Sequence, residues 1–250
     1  MDIWDACRDR AKPTAIGGDL LRLVESQEQI ATSTLVDDLA EQALLEELIE
    51  GAKPPLRPGT ENLDYLLASP FRYPPLRHGS RFGSRFEPSL LYGSKAQTTV
   101  LAEGAYYRFV FWCAMVQPPP DGRLLTQHSL IRARYRSARG LRLQAPPCSV
   151  FEARLTDPVN YGPTQRLGGA MREAGIQAFE FVSARARRRG INVALLDPVA
   201  LASRRPLTRS PWLCETRSGS VSYSSVADKA LVFFSIGQFL VNDRLPRPAV

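Results

Sequence analysis

Histidine and cysteine are scarce in this chain, with two His and four Cys among 250 residues. His78 and His128 are too few for a histidine metal centre, and they give a serine–histidine triad little to work with. Cys7, Cys113, Cys148 and Cys214 are scattered without a Cys-x-x-Cys pair. That spacing argues against a zinc site or a disulfide framework and for reduced thiols. No run approaches the ~18 to 20 apolar residues of a membrane span. Met1-Asp2-Ile3-Trp4-Asp5 lacks the basic start and apolar run of a signal peptide. The expectation is a cytoplasmic protein that does not engage a membrane. Gly162, Gly168 and Gly169 do not make a Gly-x-Gly-x-x-Gly fingerprint, so a Rossmann-type oxidoreductase is not expected. Helix-turn-helix, zinc-finger and RNA-sheet motifs are missing too.

What is present is ordinary globular material, 44% hydrophobic and 23% charged, enough for one large domain or two small ones. The charge is unevenly spread. Residues 1–52 carry 4 Lys/Arg against 12 Asp/Glu, a net −8, and the remaining 28 basic and 13 acidic residues give +15. A basic body suits an anionic partner, either nucleic acid or a phosphate-bearing metabolite.

From Asp19 to Ile49 the apolar spacing is helical, with Leu20, Leu23 and Val24 on one face and Leu35, Leu39, Leu45 and Ile49 continuing it. The expectation is an N-terminal helical hairpin, packed on the domain or serving as a partner-binding arm. Prolines between Gly51 and Gly59 make a linker, dividing residues 1–60 from a domain at 61–250. A short strand is expected near Leu90 to Tyr92 and a helix from about Thr98 to Met115, stopped by Pro118 to Pro120. Strand-like runs recur at Leu141–Leu143, Ser149–Ala153, Phe179–Val182, Asn192–Leu196 and Leu231–Phe234. A helix from Thr164 to Ala174 ends at Gly175. The fold class is α+β, a single mixed α/β domain without regular βαβ alternation.

Arg72, Tyr73, Arg81, Arg85 and Tyr92 gather around glycines, and Glu103 is a lone acid in the apolar stretch Val100-Leu101-Ala102-Glu103-Gly104-Ala105. Such an acid is seldom buried unless paired or functional. A salt bridge to one of the arginines is the simplest structural alternative. Loop pairing of Arg81 and Arg85 to Glu87 and a core role for Tyr92 are others. The run Arg185, Arg187, Arg188, Arg189 reads as a solvated turn before the strand at Asn192.

In these residues the chain resembles the RES family, named for an arginine, a glutamate and a serine. Gly79-Ser80-Arg81-Phe82-Gly83 matches its arginine motif, Leu91-Tyr92-Gly93-Ser94 its tyrosine, Leu101-Ala102-Glu103 its acid, and Arg72-Tyr73 an earlier arginine–aromatic pair. Phe181-Val182-Ser183-Ala184-Arg185 matches the serine motif, with Phe181 and Val182 where tyrosine and proline are usual. Ser225, in Tyr223-Ser224-Ser225, is the rival serine. The resemblance covers roughly residues 65–200 and leaves a strand-rich tail from Trp212.

The resemblance implies a fold like the ADP-ribosyltransferases. It also implies an NAD-degrading toxin of a toxin–antitoxin pair, oligomeric and held in check by a helix-turn-helix antitoxin, so that any link to nucleic acid is indirect. NAD is then the substrate, inorganic phosphate a possible co-substrate, and no metal or bound cofactor is needed. Glu103, Arg81 and Tyr92 are the implied catalytic residues, with Arg72, Tyr73, Arg81, Tyr92 and Ser183 on NAD. Arginine forks grip pyrophosphate oxygens, tyrosine faces stack on the rings, and a carboxylate stabilises an oxocarbenium-like ribose. Transfer of ADP-ribose to a protein needs the same pocket. A basic nucleic-acid-binding module is the non-enzymatic alternative.

Overall fold

The computed structural model describes residues 2–26 and 36–247. It is a mixed α/β structure around one eight-stranded sheet. In chain order the elements are α1 (Ile3–Cys7), β1 (Thr14–Glu25), α2 (Leu39–Ala52), α3 (Tyr65–Arg72), β2 (Leu91–Ser94), α4 (Gln97–Ala114) and β3 (Leu124–Arg142). They continue with α5 (Glu152–Leu155), α6 (Gly162–Glu173), β4 (Ala178–Val182), β5 (Ile191–Leu195), β6 (Thr208–Thr216), β7 (Ser220–Ser225) and β8 (Ala230–Ser235). Among the described residues no helix is long and apolar enough to cross a membrane.

The strand order is β1-β2-β5-β4-β3-β6-β7-β8, and β1 also pairs with β3. Five strands therefore close a circuit, β1-β2-β5-β4-β3, and β6 to β8 extend from the far edge of β3. The long β3 makes this possible. One edge runs antiparallel to β1 from His128 to Gly140; the other pairs β6 over Leu124–Arg132 and then β4, in parallel, over Gly140–Arg142. Each strand of the circuit contributes to one buried cluster, including Leu20, Leu91, Tyr135, Ala178 and Val193, which α3 covers with Leu67 and Phe71. The opposite face of β4, with Phe179 and Phe181, packs on Leu167 and Met171 of α6, on Cys7 of α1 and on Phe82. Each large apolar side chain buried in this way contributes about 1.5–3 kcal/mol.

Helix α4 buries Leu101, Ala105, Phe109 and Trp112 along one stripe. That stripe meets Trp212, Val221, Tyr223 and Phe234 of the β6–β8 extension. Helix α6 begins with Pro163 in its first turn and stops at Gly175, whose φ of +71° suits glycine.

The helical hairpin is corrected in its first half. Thr14–Glu25 is strand, the stretch around Leu35 lies outside the described residues, and only Leu39–Ala52 is helix, capped by Asp38. The cause is coverage on both faces of β1. Leu20 points into the circuit, and Leu21 and Leu23 point to the α4 cluster, so the alternation of a strand is hidden behind a helix-like spacing. The strand expected at Ser149–Ala153 is instead a short 3-10 turn, Cys148–Phe151, leading into α5. Val150 there is exposed, and a short apolar run does not settle the period. The strand expected at Leu141–Leu143 is the end of β3, and α4, α6, β4, β5 and β8 lie where the pattern put them.

Candidate active site

A cavity of about 470 Å³ opens where β1, β2, α4 and the loop at 79–83 meet. It is within the size range of small-molecule sites. The loop is tightly built. Gly79 has φ +68°, and a Cβ there would strike the carbonyl of Gly83. Gln165 of α6 donates to the carbonyls of His78 and Ser80, each at 3.0 Å. Phe82 is driven into the core, edge-on to Phe179 and Phe181. With Phe82 buried on one side, Arg81 is turned to the other.

The Arg81 guanidinium is 4.4 Å from the Tyr161 ring centre, and its Nη1 donates to the carbonyls of Asp157 (2.7 Å) and Leu155 (3.4 Å). It has no carboxylate partner among the described residues, although it is 8% exposed. A second arginine, Arg22 of β1, lines the same cavity. Its Nη1 donates to the carbonyl of Tyr92 at 2.9 Å, and its buried Nε has no partner among the described residues. Burial lowers Arg22 to about 10, which leaves it charged at neutral pH. Two cations with no carboxylate partner among the described residues, beside one cavity, form a site for an anion.

Glu103 also lines the cavity. Its Oε1 accepts from Ser183 Oγ at 2.6 Å and from Asn192 Nδ2 at 2.7 Å, and Oε2 has no hydrogen bond among the described residues. The Ser183 oxygen accepts from the backbone N–H groups of Arg185 (3.1 Å) and Ala186 (3.0 Å). With both lone pairs taken, its proton is committed to Glu103, so Ser183 orients the carboxylate and is not poised as a nucleophile.

Tyr92 lines the cavity, but its hydroxyl is spent on the loop. It accepts from Phe82 N–H at 3.0 Å and shares a hydrogen bond with Ser80 Oγ at 3.0 Å. Burial pushes the phenol up to about 12. Tyr73, at the end of α3, and Tyr107, on α4, present half-exposed rings to the cavity. Arg72 does not line it. Its Nη1 pairs with Glu50 at 2.7 Å and its Nε donates to the Pro54 carbonyl at 2.6 Å, tying α2 to α3. Ser225 is the last residue of β7, bonded to Asp228 in the turn to β8.

Of the residues singled out from sequence, Arg81, Tyr92, Tyr73 and Glu103 therefore share a cavity. Ser183 backs Glu103 and Arg72 stands apart. Arg85 lies over Phe86, and Glu87 accepts from Ser84 N–H, so the proposed pairing among them is not formed. Arg187, Arg188 and Arg189 are exposed as expected, but Arg185 is not. It is buried 3.6 Å from the Tyr106 ring centre and donates to Tyr161 Oη at 2.9 Å. Arg22 and Asn192 were missed. The available signal was a polar residue inside an apolar strand, in Leu21-Arg22-Leu23 and Ile191-Asn192-Val193. Among the described residues no group of three His, Cys, Asp or Glu side chains could hold a metal.

The RES domain family model matches residues 54–218. No curated protein matches the chain.

Proposed function

This chain belongs to the RES domain family, and from that membership we propose that it is an NAD-degrading enzyme, cleaving the nicotinamide–ribose bond by phosphorolysis or hydrolysis. The observation that carries the reading is Glu103, a carboxylate with one oxygen uncommitted among the described residues, in the same cavity as Arg22 and Arg81, two arginines with no carboxylate partner among those residues. The substrate must then combine a doubly anionic segment with a centre that turns cationic. NAD has both, in its pyrophosphate and its nicotinamide ribose.

In this reading Arg22 and Arg81 take the pyrophosphate, and Tyr73 and Tyr107 offer faces to the rings. As nicotinamide departs as a neutral base, positive charge builds on the ribose, and Glu103 Oε2 stabilises it in a site partly shielded from water. Water or phosphate then adds to the ribose carbon, releasing one proton from water or giving ADP-ribose phosphate. The wider role that goes with family resemblance is that of a cytoplasmic toxin, oligomeric and restrained by a helix-turn-helix antitoxin.

The test is incubation of the purified protein with NAD, with and without inorganic phosphate, and separation of the products. Nicotinamide release that requires phosphate identifies a phosphorylase. Release without phosphate, with free ADP-ribose, identifies a glycohydrolase. No release under either condition sinks the reading, and label from NAD on a target protein would redirect it to ADP-ribosyl transfer.

A further inference from the structure

We propose that Asn192, backed by Ser94, is a positioning residue that holds Glu103 with its free oxygen toward the cavity, an inference that rests on Glu103 being the group beside the reacting ribose. The two donors to Glu103 come from opposite ends of one turn. Ser183 follows β4, Asn192 lies in β5, and the turn is closed by Ser183 N–H to the Gly190 carbonyl at 2.8 Å. The turn lies hard against α4, because Gly190 has no Cβ; one built there would strike the Thr99 side chain, a turn before Glu103 on the same helix. That contact brings Asn192 to Glu103.

The Asn192 amide has a fixed sense. Ser94 Oγ donates to Asn192 Oδ1 at 2.6 Å, which leaves Nδ2 to face the carboxylate. Asn192 and Ser94 are 5% and 2% exposed, so water does not substitute easily for either bond. With Asn192 and Ser183 both on Oε1, rotation of the carboxylate breaks two short bonds at once, and Oε2 stays where substrate meets it. Asn192 acts through Glu103 and contributes no reacting atom.

The experiment compares Asn192→Ala and Asn192→Asp by steady-state NAD cleavage, with thermal melts to confirm folding and a crystal structure of N192A. N192A is expected to lower kcat by about 10²-fold, the scale of an ångström-sized displacement of a catalytic group, with KM nearly unchanged. Asn192→Asp keeps the shape but sets a second carboxylate against Glu103, so it is expected to fall further than N192A. A space-filling role predicts the reverse order, and N192D more active than N192A overturns the proposal. Ser94→Ala, which only releases the amide, is expected to cost about tenfold. It supplies the comparison if the Asn192 variants do not fold, and parental kcat in S94A then overturns the proposal. If the parent protein does not consume NAD, the functional reading falls, and the crystal structure still decides this one. A Glu103 carboxylate swung off Ser183 in N192A supports positioning; one left in place overturns it.

Discussion

Two carboxylates, one in the sheet and one on helix α4 beside it, are buried or half-buried, and they are solvated by protein in opposite ways. Glu180, in β4, is 2% exposed and has both oxygens consumed: Oε1 accepts from Tyr135 Oη (2.6 Å) and Lys95 Nζ (3.2 Å), and Oε2 from Gln144 Nε2 (2.9 Å). Burial alone would raise its pKa, but Tyr135, Lys95 and Gln144 together hold it below the usual carboxylate range. Glu103, on α4, has one oxygen held by two donors and the other left to the cavity. An acid whose lone pairs are all spent on its own fold stabilises that fold. An acid that keeps one oxygen in reserve has something left to offer a ligand.

The strongest test of this contrast exchanges the two losses. Glu103→Gln preserves shape and should reduce NAD cleavage by about 10³-fold with little change in the melting transition. Glu180→Ala leaves the buried Tyr135 hydroxyl without its acceptor and should cost about 1–3 kcal/mol of stability, measured by denaturant unfolding, with the folded fraction still active. An E103Q protein that cleaves NAD normally, or an E180A protein that is stable, breaks the distinction.

How far this contrast was legible in the sequence depends on the range of the contacts. Arg81, Tyr92 and Glu103 lie on one local unit, a loop, β2 and the start of α4, so their even spacing survives in the folded site. Arg22 and Asn192 reach it through β1 and β5, and strand pairing across the sheet is not written in local spacing. Glu180 was hidden for the same reason, since its partners come from α4's approach loop, β3 and the segment after it. Most of β3 was missed although its alternation is plain. Arg132, Arg134 and Arg136 face outward between buried Ala133, Tyr135 and Ser137, and a strand so rich in arginine does not stand out by hydrophobicity. The N-terminal strand failed because apolar residues on both of its faces are covered.

His128 extends the comparison to a group sealed in for structure alone. It is 6% exposed under α4, bonded through Nε2 to Thr126 Oγ1 at 2.9 Å. Burial, with the Arg108 charge added, lowers its pKa to about 4. The unfolded chain takes up this proton below about pH 6.5, whereas the folded protein resists it until about pH 4. Stability from this group is therefore complete above pH 6.5 and is lost as pH falls to 4, by about 3 kcal/mol at ~1.4 kcal/mol per pH unit. Unfolding free energies measured across that window should fall in the parent and flatten in His128→Asn. An unchanged slope in the variant would assign the acid sensitivity elsewhere.

The arginines divide along the same line with smaller effects. Arg22→Lys and Arg81→Lys keep the charge and remove the fork, and each should lower kcat/KM for NAD by about 10- to 100-fold, mostly through KM. The falsifying result is a lysine variant indistinguishable from the parent.

Arg72 is the control that sharpens the set. It stands next to Tyr73, which lines the cavity, yet its own guanidinium is turned to Glu50 and the Pro54 carbonyl. A fork already closed on a carboxylate and a carbonyl has little left for a phosphate. Arg72→Ala should therefore leave kcat/KM within about twofold of the parent, while loosening α2, which α3 holds at this point. Hydrogen exchange along Leu39–Ala52 would register that loosening. If Arg72→Ala instead matches Arg81→Lys in its cost to KM, Arg72 must release Glu50 when substrate binds. Proximity to the cavity would then outweigh the pairing with Glu50, and the rule drawn from the two carboxylates would not carry over to the cations.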